Sequence, residues 1–405
     1  MTVAGAEHRP TRWVRAAVGV SPDVHDAALD QAPSDDHEQA GTVGGMDLPV
    51  VPPVKPMLAK AAYELPEESG LVFEPKWDGF RCIVFRDGDE IVLGSRNDKP
   101  LTRYFPEIIA PLKATLPERC VVDGELVVVT GDRLDFGALQ QRIHPAESRV
   151  NMLAEQTPTA FIAFDLLALG DDDLMGEPFS KRRATLEQVL KKAKAPIHLT
   201  PTTTDQEVAA RWFKGFEGAG LDGVMAKDPT GAYAPDKRSQ IKVKHLRLAD
   251  VVVAGCRMHK DGNGIGSLMI GLYDDDGNLN HVGVASSFSA KRRTELLDEV
   301  EELRIDSFEG HPWAEWLEAE AHAREEGGRL PGAPNRWNAQ KDMSWIPLAA
   351  TRVIEVKYEH MEGDRFRNVT RMQRWRADRE PASCTYDQLE VVPPLAVQTV
   401  IAGDA

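Results

Sequence analysis

The apolar runs of this chain are short and do not alternate regularly with helical stretches, which restricts the fold more than any single residue does. Residues 71–74, 82–86, 90–95, 121–129 and 160–167 are rich in Val, Ile and Phe and bounded by Gly or Asp, as strands are. Helical spacing runs over 104–116 and 180–193, the second behind a candidate N-cap at Ser180. Strands resume at 223–227 and 240–244. A doubly wound parallel sheet needs repeated strand–helix alternation. Its absence predicts an α+β domain with antiparallel sheets and flanking helices.

Past Arg247 the texture changes. Short strands at 250–257, 267–273 and 280–285 are joined by turn sequences, Asp261-Gly262-Asn263-Gly264 and Asp275-Asp276-Gly277. A helix over 290–303 and strands at 352–358 and 366–374 follow. Short strands with one inserted helix fit a small OB-type β-barrel. The expected organisation is a disordered extension over 1–45, a first domain over 46–247, a barrel over 248–398 and a tail over 399–405. A basic hinge is expected near 245–250. Order is expected to begin at Met46, itself a candidate translation start; the extension is rich in Ala, Gly, Asp, Pro and Ser.

A length of 405 residues suits two such domains. The four cysteines, Cys82, Cys120, Cys256 and Cys384, show no C-x-x-C spacing, which argues against a zinc ribbon or a disulfide framework and for a reducing cytoplasm. No apolar run approaches the roughly 20 residues of a membrane span. Net charge is −16, which at first sight opposes a nucleic-acid partner. Its distribution softens the objection. Residues 1–45 hold three arginines and seven acids, and 301–329 three arginines and nine acids, so these two stretches carry −4 and −6. Locally basic runs remain at Lys181-Arg182-Arg183, 237–247 and 365–379.

Chemistry concentrates around Lys76. Glu74-Pro75-Lys76-Trp77-Asp78-Gly79-Phe80-Arg81 places one lysine between carboxylates at the end of an apolar run. An amine that attacks phosphorus must be neutral, yet a free lysine, with a pKa of roughly 10.4, is almost wholly protonated at neutral pH. Nearby cations or a metal shift that balance. Further clusters follow in order: Ser95-Arg96, Asp123-Gly124-Glu125 within an apolar strand, Phe164-Asp165-Leu166-Leu167, Asp222-Gly223-Val224-Met225-Ala226-Lys227, Gln240-Ile241-Lys242-Val243-Lys244, and Arg374-Trp375-Arg376-Ala377-Asp378-Arg379. Strand alternation puts Lys242 and Lys244 on one face. On residue type alone Phe164 reads as core, Glu125 as half of a structural ion pair, and the run 365–379 as a solvated strand face. Gly262-Asn263-Gly264-Ile265-Gly266 reads as a hairpin turn, since strand-like residues follow it. His144 and His245 read as ordinary histidines, and Trp313, Trp316 and Trp337 suggest no role.

Taken together, the ordered set resembles the motifs of the covalent nucleotidyltransferases, and most closely the small ATP-dependent DNA ligases of actinobacteria, over residues 46–395. The resemblance implies a nucleotidyltransferase domain followed by an OB-fold, with ATP, Mg2+ or Mn2+, and nicked duplex DNA as cofactors and partners. Lys76 would be the nucleophile that takes AMP. Glu74, Arg81, Arg96, Phe164 and Lys227 would hold the nucleotide, with Glu74 at the adenine edge and Phe164 stacked on the base. Glu125 and Asp222 would serve the ribose or the metal. Arg81, Arg96 and Asp78 would face the DNA, and Lys242 and Lys244 the α-phosphate. Arg376, Asp378 and Arg379 would come from the barrel to orient pyrophosphate. Two positions depart from the family pattern: Asp222 stands where Glu is usual, and Arg379 where Lys is usual. The resemblance further implies a cytoplasmic monomer that acts in DNA repair. The alternatives are an RNA ligase, a GTP-using capping transferase, or a non-catalytic nick-binding protein on the same fold.

Overall fold

Antiparallel pairing dominates, as the missing strand–helix alternation requires. The computed structural model describes residues 45–97, 99–314 and 344–403. All of the expected extension but Gly45 lies outside them, as do Trp316 and Trp337. The chain forms two units, one running to His245 and joined by Val391–Ala405, the other spanning Leu246–Glu390.

In the first unit the strands are β1 (Leu58–Ala62), β2 (Val72–Pro75), β3 (Phe80–Asp87), β4 (Glu90–Ser95), β5 (Arg119–Thr130), β6 (Arg133–Leu134), β7 (Thr159–Leu169), β8 (Asp172–Asp173), β9 (Ile197–Leu199), β10 (Val224–Lys227) and β11 (Arg238–Val243). One sheet runs β4-β3-β5-β7-β8, with β6 on β5 and β9 parallel to β7. A second runs β1-β11-β10-β2, where β1 is parallel to β11 and the other pairs are antiparallel. The helices are α1 (Pro106–Thr115), α2 (Phe136–Gln141), α3 (Glu147–Gln156), α4 (Phe179–Val189) and α5 (Gln206–Gly215).

Local chemistry explains their ends. Pro106 opens α1, where no amide hydrogen is needed. Asp135 caps α2 by accepting from the Ala138 amide, and Asp205 caps α5 by accepting from Glu207 and Val208. The expected Ser180 cap is not used. Helix α4 starts one residue earlier, after Pro178, because the Phe179 and Ser180 amides donate to the carbonyls of Gly231 and Pro229. Tertiary structure supplies there what a side chain supplies elsewhere.

Among the buried arginines of this unit, Arg142 and Arg182 are the most fully enclosed. Arg142 donates to both Glu107 oxygens at 2.6 and 2.9 Å and to the carbonyls of Tyr104 and Thr157. Arg182 grips Asp165 at 2.8 and 3.0 Å. A buried charge survives only when paired and hydrogen-bonded in this way.

The second unit holds β12 (Arg247–Met258), β13 (Ile265–Tyr273), β14 (Leu279–Ala285), α6 (Ala290–Glu301), β15 (Ile346–Tyr358), β16 (Met361–Glu362), β17 (Arg365–Phe366) and β18 (Arg371–Trp375). The sheet order is β14-β13-β12-β15-β18, and a bridge from Ala285 to Thr370 brings its two edges together as a barrel does. Both glycine turns lie in hairpins as expected, with Gly262, Gly264 and Gly277 at φ of 71°, 90° and 80°. The run expected as one strand over 366–374 is instead two pieces, β17 and β18. Trp313 is buried in the core of this unit, with its indole donating to the Leu279 carbonyl at 2.7 Å. Among the described residues no helix is long and apolar enough to cross a membrane.

After Glu390 the chain returns to the first unit, whereas the sequence placed residues through 398 with the barrel. Pro393 passes so close to Gly218 that a Cβ there would lie 2.0 Å from its carbonyl oxygen. Helix α7 (Val397–Ala402) then buries Val397 and Val400 beside Trp212, Phe216 and Leu221. Removing two methyl groups from either valine, with partial cavity formation, is expected to cost about 2–3 kcal/mol. Val397→Ala and Val400→Ala should therefore lower the denaturation midpoint of the first unit, and a fragment ending at Leu246 should melt below one retaining 391–405. Equal melting temperatures would show that the returning segment contributes nothing.

Candidate active site

Lys76 leaves the end of β2 on a turn held from several sides. Its amide donates to the Gly223 carbonyl at 2.9 Å, and its carbonyl accepts from the Asp222 amide at 3.1 Å. Gly223 has φ of 101°, and a Cβ there would fall 2.0 Å from the Val243 oxygen, so no other residue lets the backbones meet. The next side chain, Trp77, is buried and donates from its indole to Thr200 Oγ1 at 2.8 Å. Gly79 admits β5 in turn, since a Cβ would come within 2.2 Å of the Leu126 oxygen. The lysine side chain thus projects from a fixed base.

Lys76 Nζ lies 2.6 Å from Asp222 Oδ2, and Lys244 Nζ lies 2.8 Å from the same oxygen. Asp222 and Lys244 are buried. One carboxylate therefore serves two ammonium groups, and the structure brings Lys76, Asp222 and Lys244 into a single cluster. Lys242 stands two residues before Lys244, on β11 opposite Met225.

A second cluster surrounds Phe164 on β7. Arg81 lies over its ring with the guanidinium carbon 4.5 Å from the centroid, and Lys227 Nζ is 4.9 Å from it. Both cations are attracted by the quadrupole of the ring. Each is balanced by an acid. Lys227 pairs with Glu74 at 2.6 Å, both buried, across the β2–β10 pairing. Arg81 donates from Nε and from its terminal nitrogen to the two oxygens of Asp123, each at 2.6 Å. Burial opposes the Arg81 charge, and the Asp123 carboxylate overrides that, holding the guanidinium above its ordinary value. Phe164 thus meets charged partners as well as the core that residue type suggested.

Glu125, partly buried on β5, is a carboxyl under strain of charge. Burial pushes it up to about 8 from 4.5, against the pull of Arg81 and Lys76 and with the help of Asp78 and Asp123. Asp78 is buried and Arg96 partly buried just after β4.

In the barrel unit, Arg376 donates to Asp250 at 2.8 and 2.9 Å and to both oxygens of Asp378 at 2.9 Å, with Glu355 at 3.5 Å. Arg379 lies 3.4 Å from Asp250. The hydrogen bonds from Arg376 bring the Asp378 carboxyl down to about 2.

Comparison with known proteins decides the family. Residues 56–244 match the model described as "ATP dependent DNA ligase domain", and 261–379 match "ATP dependent DNA ligase C terminal region". Over 365 residues the chain is 54% identical to DNA ligase C of Mycobacterium tuberculosis, covering 88% of this chain and 99% of that one. The chain belongs to the ATP-dependent DNA ligases. DNA ligase C2 of Mycolicibacterium smegmatis is 57% identical over 86% of this ligase and 97% of its own length. The solved structure named Pmar-Lig_Pre shares the fold at a TM-score of 0.51, with 18% identity, over 80% of this ligase and 68% of that chain.

Several partners of the candidate residues escaped sequence reasoning. Asp123 was visible as an acid in an apolar strand, but not its role of gripping Arg81. Tyr233, which donates to Asp123 Oδ2 at 2.6 Å, gave no signal, being 110 residues away. Asp165, beside Phe164, belongs to the buried Arg182 pair. Asp250, the partner of Arg376, was read only as part of a hinge.

Among the described residues no three His, Cys, Asp or Glu side chains form a ready metal cage. Glu125 and Asp222 are carboxylates of the kind of which Mg2+ would take one or two, with water and substrate phosphate completing its shell. Glu125 is crowded by two other acids, which a cation would relieve.

The raised Glu125 carboxyl carries a pH signature. As pH climbs past 4.5 the unfolded chain releases this proton, while the folded site keeps it until about 8, so folding stability falls across that window. Glu125→Gln removes the titration. The difference in melting temperature, variant minus wild type, is expected to grow from about pH 5 to pH 8, measured without metal. A constant difference would contradict the assignment.

Proposed function

We propose that this ATP-dependent DNA ligase seals nicks between a 5′-phosphate and a 3′-hydroxyl in duplex DNA through an AMP-lysine at Lys76 and a DNA-adenylate. The observation that carries the reading is the shared oxygen of Asp222 between Lys76 and Lys244. When Lys76 turns towards a nucleotide, Lys244 still neutralises Asp222, so the departing amine leaves no bare buried carboxylate behind. Lys76 first gives up its ammonium proton to solvent; the freed nitrogen lone pair then attacks the α-phosphorus, the bond to pyrophosphate breaks, a phosphorus–nitrogen bond forms, and a second proton leaves the nitrogen to solvent. The AMP then passes to the 5′-phosphate, and attack by the 3′-hydroxyl expels it. All three are in-line displacements, in which fixed positive charge supplies most of the stabilisation.

Lys242 and Lys244 would bind the α-phosphate. Glu74 with Lys227 would meet the base edge, and Phe164 would stack on the base, a contact worth about 1–3 kcal/mol that does not choose among bases. Arg81 and Arg96 suit phosphate because a planar guanidinium donates two parallel hydrogen bonds, and Asp78 would face the DNA. A divalent cation, Mg2+ or Mn2+, held by Glu125 and Asp222 would offset negative charge on the phosphoryl oxygens. Because Asp222 is shorter than the usual glutamate, its contact would pass through water. Arg376, Asp378 and Arg379 would orient pyrophosphate in the first step. The four cysteines are free and buried, which supports a reducing cytoplasm as the setting, and we read the protein as a repair ligase acting as a monomer.

Wild-type protein with labelled ATP and magnesium should become covalently labelled, and Lys76→Ala should lose both label and sealing. Labelling by GTP in preference to ATP would favour the capping-type alternative. Arg376→Ala should slow labelling at least about tenfold yet seal a pre-adenylated nick at close to the wild-type rate, since pyrophosphate is absent from that step. Equal losses in the two assays would refute the assigned role.

A further inference from the structure

Tyr233 is 4% exposed and stands outside every motif singled out in the sequence. Its hydroxyl donates to Asp123 Oδ2 at 2.6 Å and accepts from the Met57 amide at 3.3 Å. Asp123 has no exposure, and its two oxygens take Arg81, whose guanidinium lies over Phe164. The tyrosine ring meets a second cation on its own face, with the Arg182 guanidinium carbon 5.7 Å from the centroid. Arg182 is itself locked to Asp165, the neighbour of Phe164. Tyr233 is therefore wedged between the two carboxylate–arginine pairs that border Phe164, touching one by its hydroxyl and the other by its ring.

We propose that Tyr233 is a positioning residue for nucleotide binding, which through Asp123 fixes the angle of the Arg81 guanidinium against Phe164. The inference rests on the reading above that Phe164 and Arg81 receive the nucleotide. A carboxylate anchored only by the arginine it serves is free to rotate with it. With Oδ2 also accepting from the phenol, the Asp123 carboxylate is held against rotation, so its plane stays aligned with the guanidinium as a bidentate arginine requires. Burial, followed by the charge of Asp123, pushes the Tyr233 phenol well above its ordinary value, so it remains a donor throughout the working pH range. Because the ring packs with Met57, Phe85 and Leu167, Tyr233→Phe keeps the core and removes only the hydroxyl.

The test is a double-mutant cycle on Lys76 labelling, with the KM for ATP and the maximal rate recorded separately. Tyr233→Phe is expected to raise KM roughly fivefold with little change in maximal rate, as loss of a ground-state contact does. In an Arg81→Gln background the same change should add nothing, because the residue acted upon is gone. Asp123→Asn, which keeps volume and removes charge, should show the same dependence on Arg81. An unchanged KM in Tyr233→Phe, or the same fold-loss in both backgrounds, would overturn the proposal and leave Tyr233 a packing residue. Absence of label on the wild-type protein would instead strike the ligase mechanism itself, so the two failures are distinguishable.

Discussion

A single carboxylate oxygen shared by two lysines is the interaction on which this molecule turns. Asp222 can hold both Lys76 and Lys244 only because its backbone pairs with that of Lys76, and because Gly223 lets the two chains approach without a side chain between them. The ladder of β2, β10 and β11 exists to bring these three positions together. Coulomb attraction at such short range in a buried site is large, but so is the cost of removing three charges from water. The balance favours a cluster in which either lysine can leave while Asp222 and the other lysine remain a neutral pair.

The same economy recurs around Phe164. Every cation near the ring has an acid assigned to it: Arg81 has Asp123, and Lys227 has Glu74. These pairs keep guanidinium and ammonium groups in a buried setting that would otherwise reject them. They also fix donor directions before any ligand arrives, which reduces the reorganisation that binding demands.

Much of this was legible in the chain, and the legible part has a common cause. Lys76, Glu125, Asp222 and Lys244 announced themselves because charged residues interrupt apolar strands, where burial is costly without a purpose. The antiparallel class followed from the missing strand–helix alternation, and both barrel hairpins from their glycines. What stayed hidden depends on distance along the chain. Tyr233 and Asp123 meet across 110 residues, and nothing in either neighbourhood names the other. The start of α4 depended on carbonyls of Pro229 and Gly231, some fifty residues on, which no local capping rule can anticipate. Helix α7 is six residues long, too short for a periodic pattern to stand out from an apolar tail.

The path of the chain crosses between the units twice, once after His245 and again after Glu390. The barrel is consequently an insertion within the first unit, not an appendage to it. During synthesis every residue of the barrel emerges from the ribosome before Val397 and Val400 arrive to close the hydrophobic surface beside Trp212 and Phe216. The half that holds the nucleophile is thus finished last, and a nascent chain stalled within the barrel would present an incomplete core to the cell.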